Sequence, residues 1–198
     1  MNKDNQIPEE QEICISCGIC CDGTLYEKAN LYSGEKGTLP EKIENRYFKV
    51  DNAEYFRLPC SYFEGKCTIY TQKRAMVCSG FKCKLLVNFN KGKIQKADAL
   101  KIIENVKKYR KEVEDIAFTK FNIPRGTPFK TLQAQVSEIK ESNDTEVNNH
   151  EIDSLIGKCL ILEVLLTKYF LSQEDFDKMI INPETEILPE LSNNKKHP

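Results

Sequence analysis

The sequence predicts an α+β, mostly α fold. A small irregular cysteine-rich module with a short hairpin is expected over residues 12–90, a bundle of three to four helices over 93–183, and a flexible tail over 184–198. Three observations carry this expectation. Eight of the nine cysteines lie between positions 14 and 83, that same stretch is punctuated by glycine and proline, and beyond residue 93 apolar residues recur at three- and four-residue steps. A chain of 198 residues suits one domain plus an appendage, and 40% hydrophobic against 30% charged residues is enough to bury a core and stay in solution. Collagen-like, low-complexity and wholly disordered classes are thereby excluded.

The first eleven residues, MNKDNQIPEEQ, hold no apolar core and no small-residue cleavage site, so a cytoplasmic address is expected. From Gly23 to Cys83 the residues Gly34, Gly37, Pro40, Pro59 and Gly65 interrupt every longer period, leaving turns, short strands and one short helix. Leu58 to Tyr70 has two β-friendly runs around Glu64-Gly65 and is expected to form a hairpin with Cys60 and Cys67 on its arms. Thr71 should cap a helical turn through Met76.

From Lys93 to Phe121 the residues Ala99, Ile102, Val106, Tyr109, Val113 and Ile116 mark one face of a long amphipathic helix that stops near Asn122 and Pro124. A second helix is expected from Pro128 through Leu132, Val136 and Ile139 to about Lys140. Ser142 to His150 is polar and reads as a linker. Glu151 to Leu171, apolar nearly all round, is the expected central buried helix. Its apolar part is broken by Lys158, Glu163 and Lys168 and is shorter than the roughly 20 residues a membrane span needs, so no membrane is expected. Ser172 with Asp175 suggests a cap for a last short helix ending before Pro183, and Ser192 to Pro198 should fray.

In a reducing compartment, clustered cysteines point to metal or redox chemistry rather than to disulfides. Cys14, Cys17, Cys20 and Cys21 are separated so that several thiolates can converge from one loop, with Gly18 permitting a tight path. Adjacent residues project in different directions, so Cys20 and Cys21 are not expected to complete the same tetrahedral site. Cys60, Cys67, Cys78 and Cys83, with six, ten and four residues between them, are expected to arrive from separate elements. Eight thiolates allow two zinc sites, or one iron-sulfur cluster with the rest serving a second metal or lining its pocket. Both readings stay open on spacing.

The constellation Cys14, Cys17, Gly18, Cys20 and Cys21, followed by Leu58-Pro59-Cys60, Cys67-Thr68-Ile69-Tyr70 and Cys78 with Phe81 and Cys83, resembles the CxxCxxCC family of YkgJ-like cysteine-cluster proteins. The resemblance covers about positions 12 to 85. It implies a zinc- or iron-chelating domain, related to the one found in flagellin lysine N-methylases. The chain departs from the family's usual Arg-Pro after the tyrosine, having Lys73-Arg74-Ala75 instead.

The formal charge is −1, yet Lys82 to Lys111 carries ten basic residues against Asp98 and Glu104. Because Glu138 to Glu190 is acidic and no aromatic set interleaves the lysines, this run is expected to dock against the acidic helices, and nucleic acid is not an expected partner. Cys159 reads as a core residue, and His150 and His197 belong to no catalytic arrangement. Tyr62, Phe63, Tyr70 and Phe81 are expected to form the apolar jacket of the metal site. No phosphate-cradling glycine signature is present.

The function expected is a cytoplasmic metal-binding protein, holding zinc or iron with an iron-sulfur cluster as one form, in which the metal organises the first half. The alternatives are a protein-modifying enzyme or its accessory subunit acting on a protein substrate, and an adaptor that takes an anionic partner through the basic helix.

Overall fold

The computed structural model describes residues 7–142 and 149–172. Among them the chain forms seven helices and one three-stranded antiparallel sheet, an α+β fold that is mostly α. In order these are α1 (Glu9–Cys17), β1 (Lys28–Leu31), α2 (Glu41–Glu44), β2 (Tyr47–Val50), β3 (Ala53–Arg57), α3 (Met76–Gly80), α4 (Lys84–Asn90), α5 (Lys96–Phe121), α6 (Phe129–Glu141) and α7 (Asn149–Tyr169). The expected last helix and the tail lie outside the described residues, as do positions 143–148 of the polar linker.

Helices α5, α6 and α7 follow from the apolar period. Helix α5 buries Ala99, Ile103, Val106, Arg110, Val113 and Ala117 at alternating four- and three-residue steps. It ends where Asn122 takes a left-handed conformation, φ 55°, that a short polar side chain tolerates. Pro128 serves as the N-cap of α6, so the helix starts one residue later than expected, at Phe129. Helix α7 corrects the expectation of burial all round. Ile152, Leu155, Cys159, Leu162 and Leu166 face inward, while Leu160, Ile161 and Val164 are exposed on the other side.

The sheet order is β1-β3-β2, with Ala29 and Tyr47 both opposite Phe56. Its hairpin therefore joins β2 to β3 through Asp51 and Asn52, with Asp51 at φ 52°, a position that an aspartate can occupy in place of glycine. At residues 58–70 the expected hairpin reduces to a single bridge between Phe63 and Cys67. The short helix expected at Thr71–Met76 starts instead at Met76. Helices α1 and α4 were not foreseen from the sequence.

Apolar packing forms two clusters. The larger one runs from Ile13 and Ile19 through Leu85 and Leu86 to α5, α6, α7 and Phe170, so it continues across residues 90–93. The smaller gathers Leu31, Leu39, Ile43, Phe56, Leu58, Ile69 and Ala75 beneath the sheet. Among the described residues, the ion pairs of Lys82 and Lys96 in the basic run differ from the expected docking against the acidic second half. Lys82 pairs with Glu10 at 2.9 Å, and Lys96 reaches Glu9 and Glu12, so the acidic partner is chiefly α1.

Candidate metal centre

Helix α1 sets Cys14 and Cys17 one turn apart, where an i, i+3 spacing puts two side chains on one face. Gly18 then ends the helix at φ 70°, its N–H donating to the Cys14 carbonyl. A side chain here would also strike Phe63, since a β-carbon built on Gly18 falls 2.3 Å from the ring. Two separate causes thus require glycine. The chain next turns on the Gly18 carbonyl, which accepts from Cys21 N–H at 2.7 Å and Asp22 N–H at 2.9 Å, so that Cys20 and Cys21 leave a tight turn back to back.

Their surroundings diverge. Cys20 packs with Cys14, Cys17 and Cys83 against the larger core. Cys60, Cys67 and Cys78 pack against the smaller core, and Cys21 is tied to that side by the Cys60 N–H, which donates to its carbonyl at 2.7 Å. The thiols that act on Cys20 and Cys21 differ, although Cys14 also acts on Cys21 and Cys67 on Cys14. Cys20 is influenced by Cys17, Cys83 and Cys14 as well as by adjacent Cys21, whereas Cys21 is influenced first by Cys78, Cys60 and Cys67.

Separate elements deliver the later cysteines. Cys83 is the N-cap of α4 without a side-chain cap hydrogen bond, and the backbone amides of Leu86 and Leu85 favour its ionised form. The Tyr62 amide favours the ionised form of Cys60 in the same way, and Cys67 sits at the bridge with Phe63. Cys78 rides on α3, whose first N–H, from Met76, donates to the buried Glu35 carboxylate at 2.7 Å. The other Glu35 oxygen accepts from Tyr32 N–H, also at 2.7 Å, so one side chain anchors α3 to the loop after β1.

Burial pushes the thiols of Cys14, Cys20, Cys21, Cys60 and Cys83 up, and those of Cys17 and Cys78 up to about 12. These groups carry protons at neutral pH. Arg74, stacked 4.0 Å over the Tyr70 ring, is the cation that works against this at both Cys14 and Cys78. A cavity of about 50 Å³, several times what a water needs, is lined by Cys14, Cys17, Cys20, Cys21 and Cys83, with Phe81 and Phe170 among its walls. All nine cysteines are free. Among the described residues no three Cys, His, Asp or Glu side chains are already drawn into a group that could hold a metal ion. Of the eight residues, Cys14, Cys17, Cys20 and Cys83 adjoin the larger core and Cys60, Cys67 and Cys78 the smaller, while Cys21 lines the cavity and accepts from Cys60 N–H through its carbonyl.

Of the expected aromatic jacket, Phe63 closes on Gly18, Phe81 lines the cavity and meets Tyr26 edge-on at 5.6 Å, Tyr62 joins the smaller core, and Tyr70 lies beneath Arg74. Cys159 lies buried in the larger core, and His150 opens α7 on the surface. His197 lies outside the described residues.

Arg110, one of the ten basic residues between Lys82 and Lys111, is buried at 7% exposure. Its Nη2 donates to the Thr127 carbonyl at 2.7 Å, while Nε and Nη1 have no hydrogen-bond partner among the described residues, and its charge acts on Asp22, directly after Cys21. The sequence signal was its place on the four-three seam of α5. Beside that seam, Lys107, Lys108 and Lys111 line an open hollow of about 660 Å³ next to Ser16, whose carbonyl accepts from Lys107 Nζ at 3.3 Å.

No family model, no curated protein and no solved structure matches this chain. No helix among the described residues is long and apolar enough to cross a membrane.

Proposed function

We propose that the protein binds metal at two four-cysteine centres, the first held by Cys14, Cys17, Cys20 and Cys83 and the second by Cys21, Cys60, Cys67 and Cys78. The reading rests on one observation: Cys20 packs on the larger core with Cys14, Cys17 and Cys83, while among the other thiols those acting most on Cys21 are Cys78, Cys60 and Cys67. Four sulfurs without a nitrogen or carboxylate donor suit a thiophilic metal, zinc or an iron-sulfur cluster. The metal would supply the charge that keeps buried thiolates deprotonated, and closing each set would require the sulfurs to move together.

Free thiols in such number fit a reducing, cytoplasmic compartment. Binding would be coupled to folding of the first half, where the smaller core is thin. The resemblance to cysteine-cluster proteins supports the same chemistry, and a protein partner or substrate would then be met by the metal-loaded form.

Anaerobic purification followed by metal and sulfide analysis tests the reading. Two equivalents of zinc, or iron with acid-labile sulfide, are expected, with Cys20→Ser and Cys21→Ser each losing one centre and keeping the other. Protein that retains no metal after anaerobic reconstitution, or loses both centres identically in the two variants, overturns it.

A further inference from the structure

We propose that α7 is a dimerisation surface whose partner is a second copy of this chain, its α7 running antiparallel to the first. The outward face of α7 carries Asp153, Gly157, Leu160, Ile161, Val164 and Lys168. At 100° per residue these six fall within one arc of about 100°, opposite the inward-facing Leu155 and Leu162. Leu160 is 56% exposed, Ile161 51% and Val164 39%, a contiguous apolar strip rather than a scattered set.

The order of the strip is what selects the occupant. About the midpoint between Leu160 and Ile161 it is self-complementary, so an antiparallel copy sets Leu160 against Ile161, Gly157 against Val164, and Asp153 against Lys168. A twofold contact requires this kind of match, each residue meeting its counterpart twice. Gly157 sits inside a helix, where glycine is unfavourable, and the chain itself gives no packing cause for it: a β-carbon there would meet nothing within 4 Å. Across the pair, its lack of a side chain makes room for Val164 of the second copy. The charges agree in sign. The Asp153 side chain, 59% exposed beside Lys140 at 3.0 Å, can take a second cation, and Lys168 lies along the Tyr169 ring at 5.0 Å.

Sedimentation equilibrium of the 198-residue chain tests this across the micromolar to millimolar range. The mass should rise from 22.8 kDa toward twice that value. Leu160→Glu with Ile161→Glu, on an exposed face that folding does not need, should weaken association at least about tenfold while leaving the circular dichroism unchanged. Asp153→Lys should weaken it, and Asp153→Lys with Lys168→Asp should restore it, because the exchange rebuilds both ion pairs only when the helices run antiparallel. A chain that stays monomeric throughout, including because residues 173–198 cover the strip, overturns the proposal. So does a dimer indifferent to the glutamate pair, or one that the charge exchange fails to restore.

Discussion

The two proposed cysteine centres lie on opposite sides of a single peptide bond, yet they rest on very different foundations. Cys14, Cys17, Cys20 and Cys83 are set into the end of a core built from α1, α4, α5, α6 and α7. Cys60, Cys67 and Cys78 border a cluster of seven buried apolar residues beneath a sheet with strands of four or five residues. Isolated sheets of that size are marginal in water, whereas long helices packed along an apolar seam sustain themselves. A given ligand set can therefore adorn one region and be indispensable to the other.

The largest effect should follow metal removal. Chelation of the loaded protein is expected to abolish amide-exchange protection across β1, β2, β3 and α3 while α5 and α7 keep theirs. The pH response should change sign with it. In metal-free protein Cys17 and Cys78 titrate at about 12 when folded but near about 8.5 when unfolded, so the folded state holds its protons longer. That contribution is complete below about pH 8.5 and is lost as pH rises toward about 12. In loaded protein, protons compete with metal, so stability should fall toward acid instead. Identical profiles for the two forms, followed by thermal melts, would show that metal leaves the thiols unaltered.

Next in size is a matched pair of truncations. Phe56 and Phe129 are each 1% exposed, one in each core, and Phe→Ala at such a site costs about 3–5 kcal/mol. In the larger core this should lower the denaturant midpoint of the whole chain. In the smaller one it should remove protection from the sheet alone, with metal restoring part of it. If both variants lose protection everywhere to the same degree, the two cores form one cooperative unit and the contrast drawn above fails.

What the sequence disclosed follows the same division. Helices α5, α6 and α7 were legible because their burial is periodic and local, repeating at Val106 and Val113 or at Leu132 and Val136. The seam was displaced by one residue at three places. Ile102, Tyr109 and Ile116 are half-buried, and the structure buries their neighbours Ile103, Arg110 and Ala117, of which Arg110 is a charged residue that pattern reading places outside. Helix α1 carried its own signals, Pro8 before it, Glu9 and Glu10 in its first turn and Gly18 after it. They were masked because Cys14 and Cys17 were read as loop ligands.

The sheet was harder, since its hairpin turns on Asp51-Asn52 without glycine, while Glu64-Gly65 offered a conventional turn that closes only a bridge. The convergence of eight cysteines was suggested by their spacing, but their division between the two cores depends on contacts between distant segments. Glu35, 41 residues from the Met76 amide it accepts from, had no local signal at all.

A smaller effect sharpens the junction between the regions. Gly18→Ala should cost about 1–2 kcal/mol for its left-handed backbone and a further 1–3, roughly, for the collision with Phe63. In a Phe63→Leu background the second part should vanish, leaving a coupling readable from a double-mutant cycle. Strict additivity would mean that the ring swings aside freely and does not clamp the Cys20-Cys21 turn.

The smallest effect concerns the arm that carries Cys78. Glu35 accepts one N–H on each carboxylate oxygen, whereas glutamine offers a single acceptor and turns an NH₂ toward the other donor. Glu35→Gln should cost about 2 kcal/mol, the value of one charge-assisted hydrogen bond lost inside the protein, and Glu35→Ala more. The same substitution removes a negative charge that opposes ionisation of Cys78, so the remaining thiolate forms more readily. Stability and metal retention are thereby set against each other. If Glu35 only holds α3 in place, the variant should lose both in proportion. If its charge also bears on the second centre, metal retention should fall less than the melting temperature implies, and competition with a chromogenic chelator at fixed temperature separates the two.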